Sequence, residues 1–385
     1  MTGLRRSIVV SAAAAAAAIA VIAAIVPDLP PLAVLGGDAP NYARLAEHPF
    51  QAVSGAPVAQ RLLTPLIVAA LPFSTSAGFL VVSVVSIVLA SLCVALICRR
   101  LGLSLVSQAT ASVLTAGSYI GVHGVFNQYY VDPEAMLVVA LALLLAFERR
   151  GWLFALTVAV GVPVKEIAIT LMLLPYLVWR PPGVLWDRPL LVRTIVLALP
   201  AVAVTIIVNR FAPTLDLGHH DPRRLFFSAF DPVAGLRRGF LTAVANPIFA
   251  LFGAAWVLWP IGVAGCPRDL RRAHMWLLIA FVPLALGVWE RTMGVFVPLA
   301  VPAALWVLRS APPSVVGAFA VGSFWVSGIA GAITIGDNGT TAAFKAALIA
   351  PGLAVAWGAL VWELRRRRRQ GEPILRRPSV RAGRA

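Results

Sequence analysis

RRGWLFALTVAVGVPVKEIAITLMLLPYLVWR, residues 149–180, decides how the rest of this 385-residue chain is folded. It opens on Arg149-Arg150, closes on Arg180, and carries only Lys165 and Glu166 as charges between them, beside the break Gly161-Val162-Pro163. About 28 residues separate the flanking arginines, roughly 42 Å as continuous helix, whereas two full bilayer spans need about 40 residues. Proline removes a backbone donor and disfavours helix at the residue before it. The stretch is therefore either one helix kinked at Pro163, which crosses to the far side, or a hairpin of two short helices, which returns. In the hairpin, Val164-Lys165-Glu166 forms an apex below the outer surface, and irregular backbone at such depth persists only where it lines protein or a wet cavity.

The other arginines choose between the two. Apolar segments run about 8–26, 76–98, 104–121, 134–147, 152–162, 166–179, 194–211, 246–264, 274–289, 293–308, 314–335 and 345–364. Basic clusters lie between them: Arg99-Arg100, Arg149-Arg150, Arg180 with Arg188 and Arg193, Arg268 with Arg271-Arg272, Arg309, and Arg365 to Arg369. Two of the 32 basic residues are lysine, Lys165 and Lys345, which leaves 30 arginines. With the hairpin, eight of these (Arg44, Arg61, Arg210, Arg223, Arg224, Arg237, Arg238 and Arg291) lie outside, and 30 − 8 = 22 are cytoplasmic. With a single kinked helix only 12 are cytoplasmic, and the five-arginine run is translocated. Cytoplasmic loops carry the arginine excess, so the hairpin is the expected fold.

The reading is an all-α, polytopic transmembrane helical bundle of about twelve segments, with both termini cytoplasmic in a plasma (inner) membrane. Residues 1–364 form one transmembrane domain, with outer loops at 27–75 and 212–244; residues 365–385 form a basic tail, disordered or resting on anionic lipid. Composition agrees. Hydrophobic residues make up 60% and charged residues 12%, against about 25% charged in soluble domains, and mean hydropathy is +0.87. The net charge of +16 sits in short clusters between apolar runs, which excludes a nucleic-acid-binding reading. The first apolar run, about 19 residues, exceeds a secretory signal core and reads as an uncleaved helix. Cys93, Cys98 and Cys266 fall in no outer segment, so no structural disulfide is expected.

The acidic residues collect on the outer side: Asp28, Asp38, Glu47, Asp132, Glu134, Asp216, Asp221, Asp231, Glu290 and Asp337. Glu166 is intramembrane. Glu148, Asp187, Asp269, Glu363 and Glu372 are cytoplasmic and read as solvated partners of nearby arginines. In the first outer loop, Gly36-Gly37 precede Asp38, and Pro40 opens a short helix with Tyr42, Leu45 and Ala46 on one face. Asp38 reads equally as a helix cap or as a chemical group. Residues 60–72 suggest an interfacial helix with Arg61 at its polar edge. Asp132 before Pro133 suits an N-cap, and Glu134 the first-turn dipole. Lys165-Glu166 within an apolar hairpin is costly and reads as an intramembrane pair or a functional site. Glu290-Arg291 follows Trp289, where an interfacial anchor is the plain reading. His219-His220-Asp221 is a weak metal signal, since adjacent side chains seldom reach one ion. Phe226, Phe227 and Phe230 among Arg223, Arg224, Arg237 and Arg238 suit an outer-leaflet segment.

In order along the chain come an early outer aspartate with a downstream tyrosine and Arg61-Leu62-Leu63-Thr64-Pro65, then Asp132-Pro133, Lys165-Glu166 at a broken hairpin, and Glu290-Arg291. This conjunction resembles the GT-C superfamily of membrane glycosyltransferases, which use polyprenyl-phosphate sugars as donors. The resemblance covers most of residues 1–310 and implies an inverting sugar transfer to an extracytoplasmic glycan, glycolipid or protein acceptor. It implies that Asp38 is the catalytic base, that Lys165 and Arg291 bind the donor phosphate, and that Tyr42, Arg61, Asp132, Glu166 and Glu290 support them or the acceptor. A divalent metal is left open, because Asp38 has no acidic neighbour before Glu47, whereas many members carry two acids close together. Many members also have a soluble C-terminal domain that this sequence lacks. Two other classes share the features: a membrane transporter or lipid flippase, which broken helices and intramembrane charges also mark, and a non-catalytic protein on the same scaffold.

Overall fold

The computed structural model describes residues 2–26, 38–49, 61–184, 186–211, 253, 255–285, 296–334 and 342–371. Every regular element among them is helical. The first half holds α1 (Thr2–Ile25), α2 (Ala39–Glu47), α3 (Leu63–Ala69), α4 (Thr75–Arg100), α5 (Leu105–Ala116), α6 (Tyr119–Phe126), α7 (Asp132–Phe147) and α8 (Gly151–Gly161). A 3-10 helix (Glu166–Leu173) leads into α9 (Leu174–Trp179) and α10 (Arg188–Phe211). The second half holds α11 (Ala255–Gly265), α12 (Arg268–Ala285), α13 (Val297–Val307), α14 (Pro313–Phe324), a π-helical turn (Trp325–Ile329), α15 (Ala330–Thr334) and α16 (Ala342–Arg369). Five helices are long and apolar enough to cross a bilayer: α1, α4, α10, the continuous run 313–334, and α16. Five shorter apolar helices accompany them. Large apolar side chains point away from the protein. Val192, Ile195, Leu199 and Ile206 of α10 are each more than half exposed, a helical stripe that only lipid would cover without cost.

The stretch 149–180 turns back on itself. α8 ends at Gly161, and Lys165 is extended at φ −159°, ψ 132° before the 3-10 helix begins. A Cβ placed on Gly151, at the start of α8, would lie 3.4 Å from the Trp179 ring at the end of α9. The Trp179 indole N–H donates to the Ala146 carbonyl at 2.6 Å. Both ends of the stretch therefore meet beside the end of α7, and Lys165 stands at the opposite end. Gly161 is required at the turn, because a Cβ there would overlap Val138 and lie 3.0 Å from the Cβ of Ala168. With 11 residues, α8 rises about 16 Å, roughly half a hydrocarbon core.

The basic clusters share one end of the bundle, and a chain of contacts joins them. Ser7 of α1 donates to Gln108 of α5, whose amide donates to the Leu103 carbonyl at 2.8 Å. Arg100 pairs with Glu148 at 2.8 Å, bringing the ends of α4 and α7 together. Trp179 follows on Ala146, and Arg272 donates to the carbonyls of Arg180 and Pro181. Trp306 donates to the Gly265 carbonyl at 2.8 Å, and Arg367 to the Val307 carbonyl at 2.7 Å. Indoles and guanidiniums thus satisfy carbonyls that helix ends leave without a backbone donor.

Two readings of this end change. The run Arg365–Arg369 does not begin a tail: it continues α16 as helix. Glu363 is buried rather than solvated and pairs with Arg366 at 2.8 Å and Arg367 at 2.6 Å. A carboxylate out of water persists when cations face it, and these two arginines in turn hold the carbonyls of Val307 and Ser310. The loop at 212–244 and the chain beyond Gly371 lie outside the described residues.

Candidate functional site

The site is built at the end away from the arginine clusters, where α2 and α3 dock. The apolar face of α2, Ala39, Tyr42, Ala43, Leu45 and Ala46, is buried against Val68, Phe79, Tyr129 and Val131. Tyr42 and Leu45 are fully buried, each contributing about 1.5–3 kcal/mol. This packing seats Asp38, which precedes α2, beside the start of α7. Asp38 does stand at the N-cap position, yet its side chain makes no cap hydrogen bond. It faces Arg61 instead, with Asp38 Oδ2 and Arg61 Nη1 3.7 Å apart, a Coulombic contact too long for a hydrogen bond. A third of the Asp38 side chain is exposed, so the carboxylate reaches solvent.

Arg61 is not at the polar edge of an interfacial helix. It precedes α3 and is buried, donating to the Tyr42 hydroxyl at 2.8 Å. The apolar faces of α2 and α3 close over it, so the guanidinium is paired inward. Burial pushes the Tyr42 phenol well above its ordinary range; Arg61 opposes that shift, and the carboxylates of Asp38 and Asp132 add to it. Tyr42 is therefore a neutral phenol within electrostatic reach of both acids. Two residues beyond Arg61, the Leu63 N–H donates to the Pro163 carbonyl at 3.0 Å. The start of α3 is thereby tied to the hairpin apex.

At that apex Lys165 pairs with Asp132 across 33 positions of chain, both almost wholly buried. Asp132 is the first residue of α7 and Val131 its N-cap, so Asp132 is not the cap that its place before Pro133 suggests. Its carboxylate is turned to the ammonium, because an unpaired lysine at this depth would cost more than a lost cap. Glu134, two residues on, is also buried rather than at a wet helix end. Its carboxylate lies within reach of the Ser83 hydroxyl of α4 and of its own backbone N–H, with no hydrogen bond of good geometry among the described residues. The Glu166 side chain, Glu290 and Arg291 lie outside the described residues.

Five of the eight expected site residues (Asp38, Tyr42, Arg61, Asp132 and Lys165) are thus brought into one polar knot joining α2, the start of α3, α7 and the hairpin apex. Sequence reasoning missed Glu134 as a member; its closeness to Asp132, two residues on, was the available signal. Among the described residues no three His, Cys, Asp or Glu side chains gather as metal ligands, and the ionic partner of Asp38 is a guanidinium rather than a second carboxylate. That donor set does not fit a divalent metal at Asp38. A partly exposed carboxylate beside a buried, oriented cation can accept a proton at one point and meet developing negative charge at another. Comparison with protein-family models, with curated proteins and with solved structures finds no match to this chain.

Proposed function

We propose that the chain is a membrane glycosyltransferase that moves a sugar from a polyprenyl-phosphate donor to an extracytoplasmic acceptor with inversion. The observation that carries the reading is the polar knot: Asp38, exposed by a third, and Lys165, buried, are tied to one another through Arg61, Tyr42 and Asp132. The arginine-rich end faces the cytoplasm in this reading, following the positive-inside bias. The knot then opens to the outer side of a plasma membrane, where a lipid-linked sugar is presented. With the five shorter apolar helices, α7 and α12 counted beside the five long ones, the reading has about twelve membrane segments on a GT-C-like plan.

Asp38 takes the proton from the acceptor hydroxyl as that oxygen attacks the anomeric carbon. The bond between anomeric carbon and phosphate oxygen breaks, and its electron pair leaves with the polyprenyl phosphate. The Lys165 ammonium, held in place by Asp132, faces the charge that develops on that phosphate. Arg291 is assigned the same task, and Glu166 and Glu290 a supporting one, as the GT-C resemblance implies. Arg61 faces Asp38 and fixes its direction, with Tyr42 holding the guanidinium. A membrane-embedded donor site accounts for buried charge that a structural bundle alone has no need to retain.

The test is genetic and chemical. In cells lacking the chain, cell-envelope glycans and glycolipids are profiled after rescue with wild type or with Asp38→Asn at matched expression. A product that wild type restores and Asp38→Asn does not is the expected result. Full rescue by Asp38→Asn removes the reading.

A further inference from the structure

Cations ring the end of α9. This helix packs against both α10 and α12 and ends on Trp179, directly before Arg180. The Arg180 guanidinium lies over the Tyr176 ring at 5.6 Å, and Arg193 of α10 lies over the Trp179 ring at 5.0 Å. From the other side Arg272 of α12 donates to the carbonyls of Arg180 and Pro181. Arg268 stands three and four positions before Arg271 and Arg272, so the three share one side of the first turns of α12. Arg180, Arg268 and Arg271 all fall within electrostatic reach of Arg272, and Asp269 opposes them. Among the described residues no carboxylate comes within salt-bridge distance of Arg193, Arg268, Arg271 or Arg272.

Two of these cations have a structural explanation. Arg272 satisfies carbonyls that the end of α9 leaves without a backbone donor, where a positive charge is also stabilising. Arg193 covers an indole. Arg268 and Arg271 have neither role. Their guanidiniums make no hydrogen bond or ion pair among the described residues, yet their charges add to the repulsion at Arg272. An anion seated among them would turn that repulsion into attraction.

The surroundings select the anion. Met275, one turn beyond Arg271, is 46% exposed, and Val192, Ile195 and Leu199 continue an exposed apolar stripe along α10 beside Arg188 and Arg193. Trp186, in the loop joining α9 to α10, is 69% exposed, and indoles in such places sit at the level of lipid headgroups. The Asp187 N–H donates to the Tyr176 hydroxyl at 3.3 Å and so holds that loop over α9. Cations at one level and bare apolar side chains at the next match an amphiphile, with phosphate against the first and acyl chains along the second. A soluble phosphate ester would leave the apolar part unused. Guanidiniums offer paired N–H donors that fit phosphate oxygens.

We infer that Arg268 and Arg271, with Arg180 and Arg272, bind the phosphate headgroup of an anionic phospholipid at the end of α9. The site lies at the arginine-rich end, away from the polar knot, and stands whether or not sugar transfer is the activity.

The experiment uses the full chain purified in mild detergent. Thermal unfolding is followed in mixed micelles containing phosphatidylglycerol or phosphatidylcholine, and in phosphatidylcholine with added inorganic phosphate at the concentration of the anionic lipid. The expected result is a midpoint higher in phosphatidylglycerol than in phosphatidylcholine by about 3 °C or more, with no comparable gain from inorganic phosphate. Arg268→Gln/Arg271→Gln should lose most of that gain while keeping its midpoint in phosphatidylcholine. Arg365→Gln/Arg368→Gln, at exposed positions of α16, should retain it. Equal gains for wild type and Arg268→Gln/Arg271→Gln overturn the site. An equal loss in the α16 variant overturns it in favour of unspecific attraction to the net charge, and an equal gain from inorganic phosphate overturns the lipid as its occupant. If Arg268→Gln/Arg271→Gln fails to fold, Arg271→Gln alone decides, and an undiminished gain in it overturns the site.

Discussion

Lys165→Met removes the ammonium from the hairpin apex and strands the Asp132 carboxylate, whose side chain is 2% exposed. At a contact of about 3 Å and an effective dielectric constant near 20, the pair attracts by about 5 kcal/mol. Breaking buried pairs by removing one partner costs about 3–5 kcal/mol. Asp132→Asn strands the ammonium in turn and should cost a similar amount. The double variant Asp132→Asn/Lys165→Met leaves neither charge unpaired and should be less destabilised than the two single losses combined, giving a coupling of at least about 2 kcal/mol. Both residues have further electrostatic contacts, so the coupling falls short of the whole attraction.

The assay is reversible unfolding in mixed micelles with increasing denaturing detergent, followed by tryptophan fluorescence, for wild type, both singles and the double. Strict additivity of the two singles would refute the reasoning, because it would mean that the ion pair does not hold the apex. Function supplies a second arm. If Lys165 meets the donor phosphate, the double variant refolds its stability but not its product. A double variant that restores glycan product at wild-type level would leave Lys165 a structural ion and nothing more.

Other outcomes follow from the same geometry. Tyr42→Phe leaves a buried Arg61 donor without its acceptor and should cost about 1–3 kcal/mol, read as a lower unfolding midpoint. Arg367→Ala leaves Glu363 to Arg366 and strands the Val307 carbonyl, and should cost about 1–3 kcal/mol, whereas Arg368→Ala, on the exposed side of α16, should stay within about 0.5 kcal/mol; the two are compared by thermal unfolding. Gly262→Ala would drive a methyl into the Ala303 carbonyl, and a loss of about 1–3 kcal/mol or more should show as reduced yield of folded protein. Single cysteines at Pro182 and Gln370, both exposed at the arginine-rich end, should resist a membrane-impermeant thiol reagent in intact cells and react after permeabilisation.

The reversal at residues 149–180 was legible from the proline break and from the arginines along the whole chain; the length of the stretch, short for two full spans, left a single kinked helix open until those arginines were counted. The buried face of α2 was legible too, since Tyr42, Leu45 and Ala46 fall three and one positions apart on a helix. Pair choice was not. Nothing in the spacing names Asp132, 33 positions away, as a partner of the Lys165 ammonium; an extended backbone at the apex directs that side chain toward α7. Arg61 reads as an edge residue in a linear pattern and becomes buried only when α2 and α3 close over it. Glu134 and Glu363 share one cause: an acid near a helix end is solvated or buried according to which helices pack there, and no spacing along one chain segment encodes that.

The bond from the Leu63 N–H to the Pro163 carbonyl joins two defects that would each be costly alone. Residues near the start of α3 carry N–H groups with no helical acceptor, and the end of α8 leaves carbonyls with no helical donor. Each supplies what the other lacks, at a depth where water is scarce. Arg61 lies two residues before that donor and Lys165 two residues after that acceptor, so one backbone bond fixes the distance between the cation that holds Asp38 and the cation that faces Asp132. A hairpin that crossed fully would carry Lys165 past the start of α3, and a shorter one would leave it among the apolar side chains of α7. The abbreviated α8 and the 3-10 geometry after Lys165 are therefore what place the apex level with the start of α3, and a one-residue insertion in 161–164 should uncouple Asp38 from Lys165 without disturbing the arginine layer at the other end.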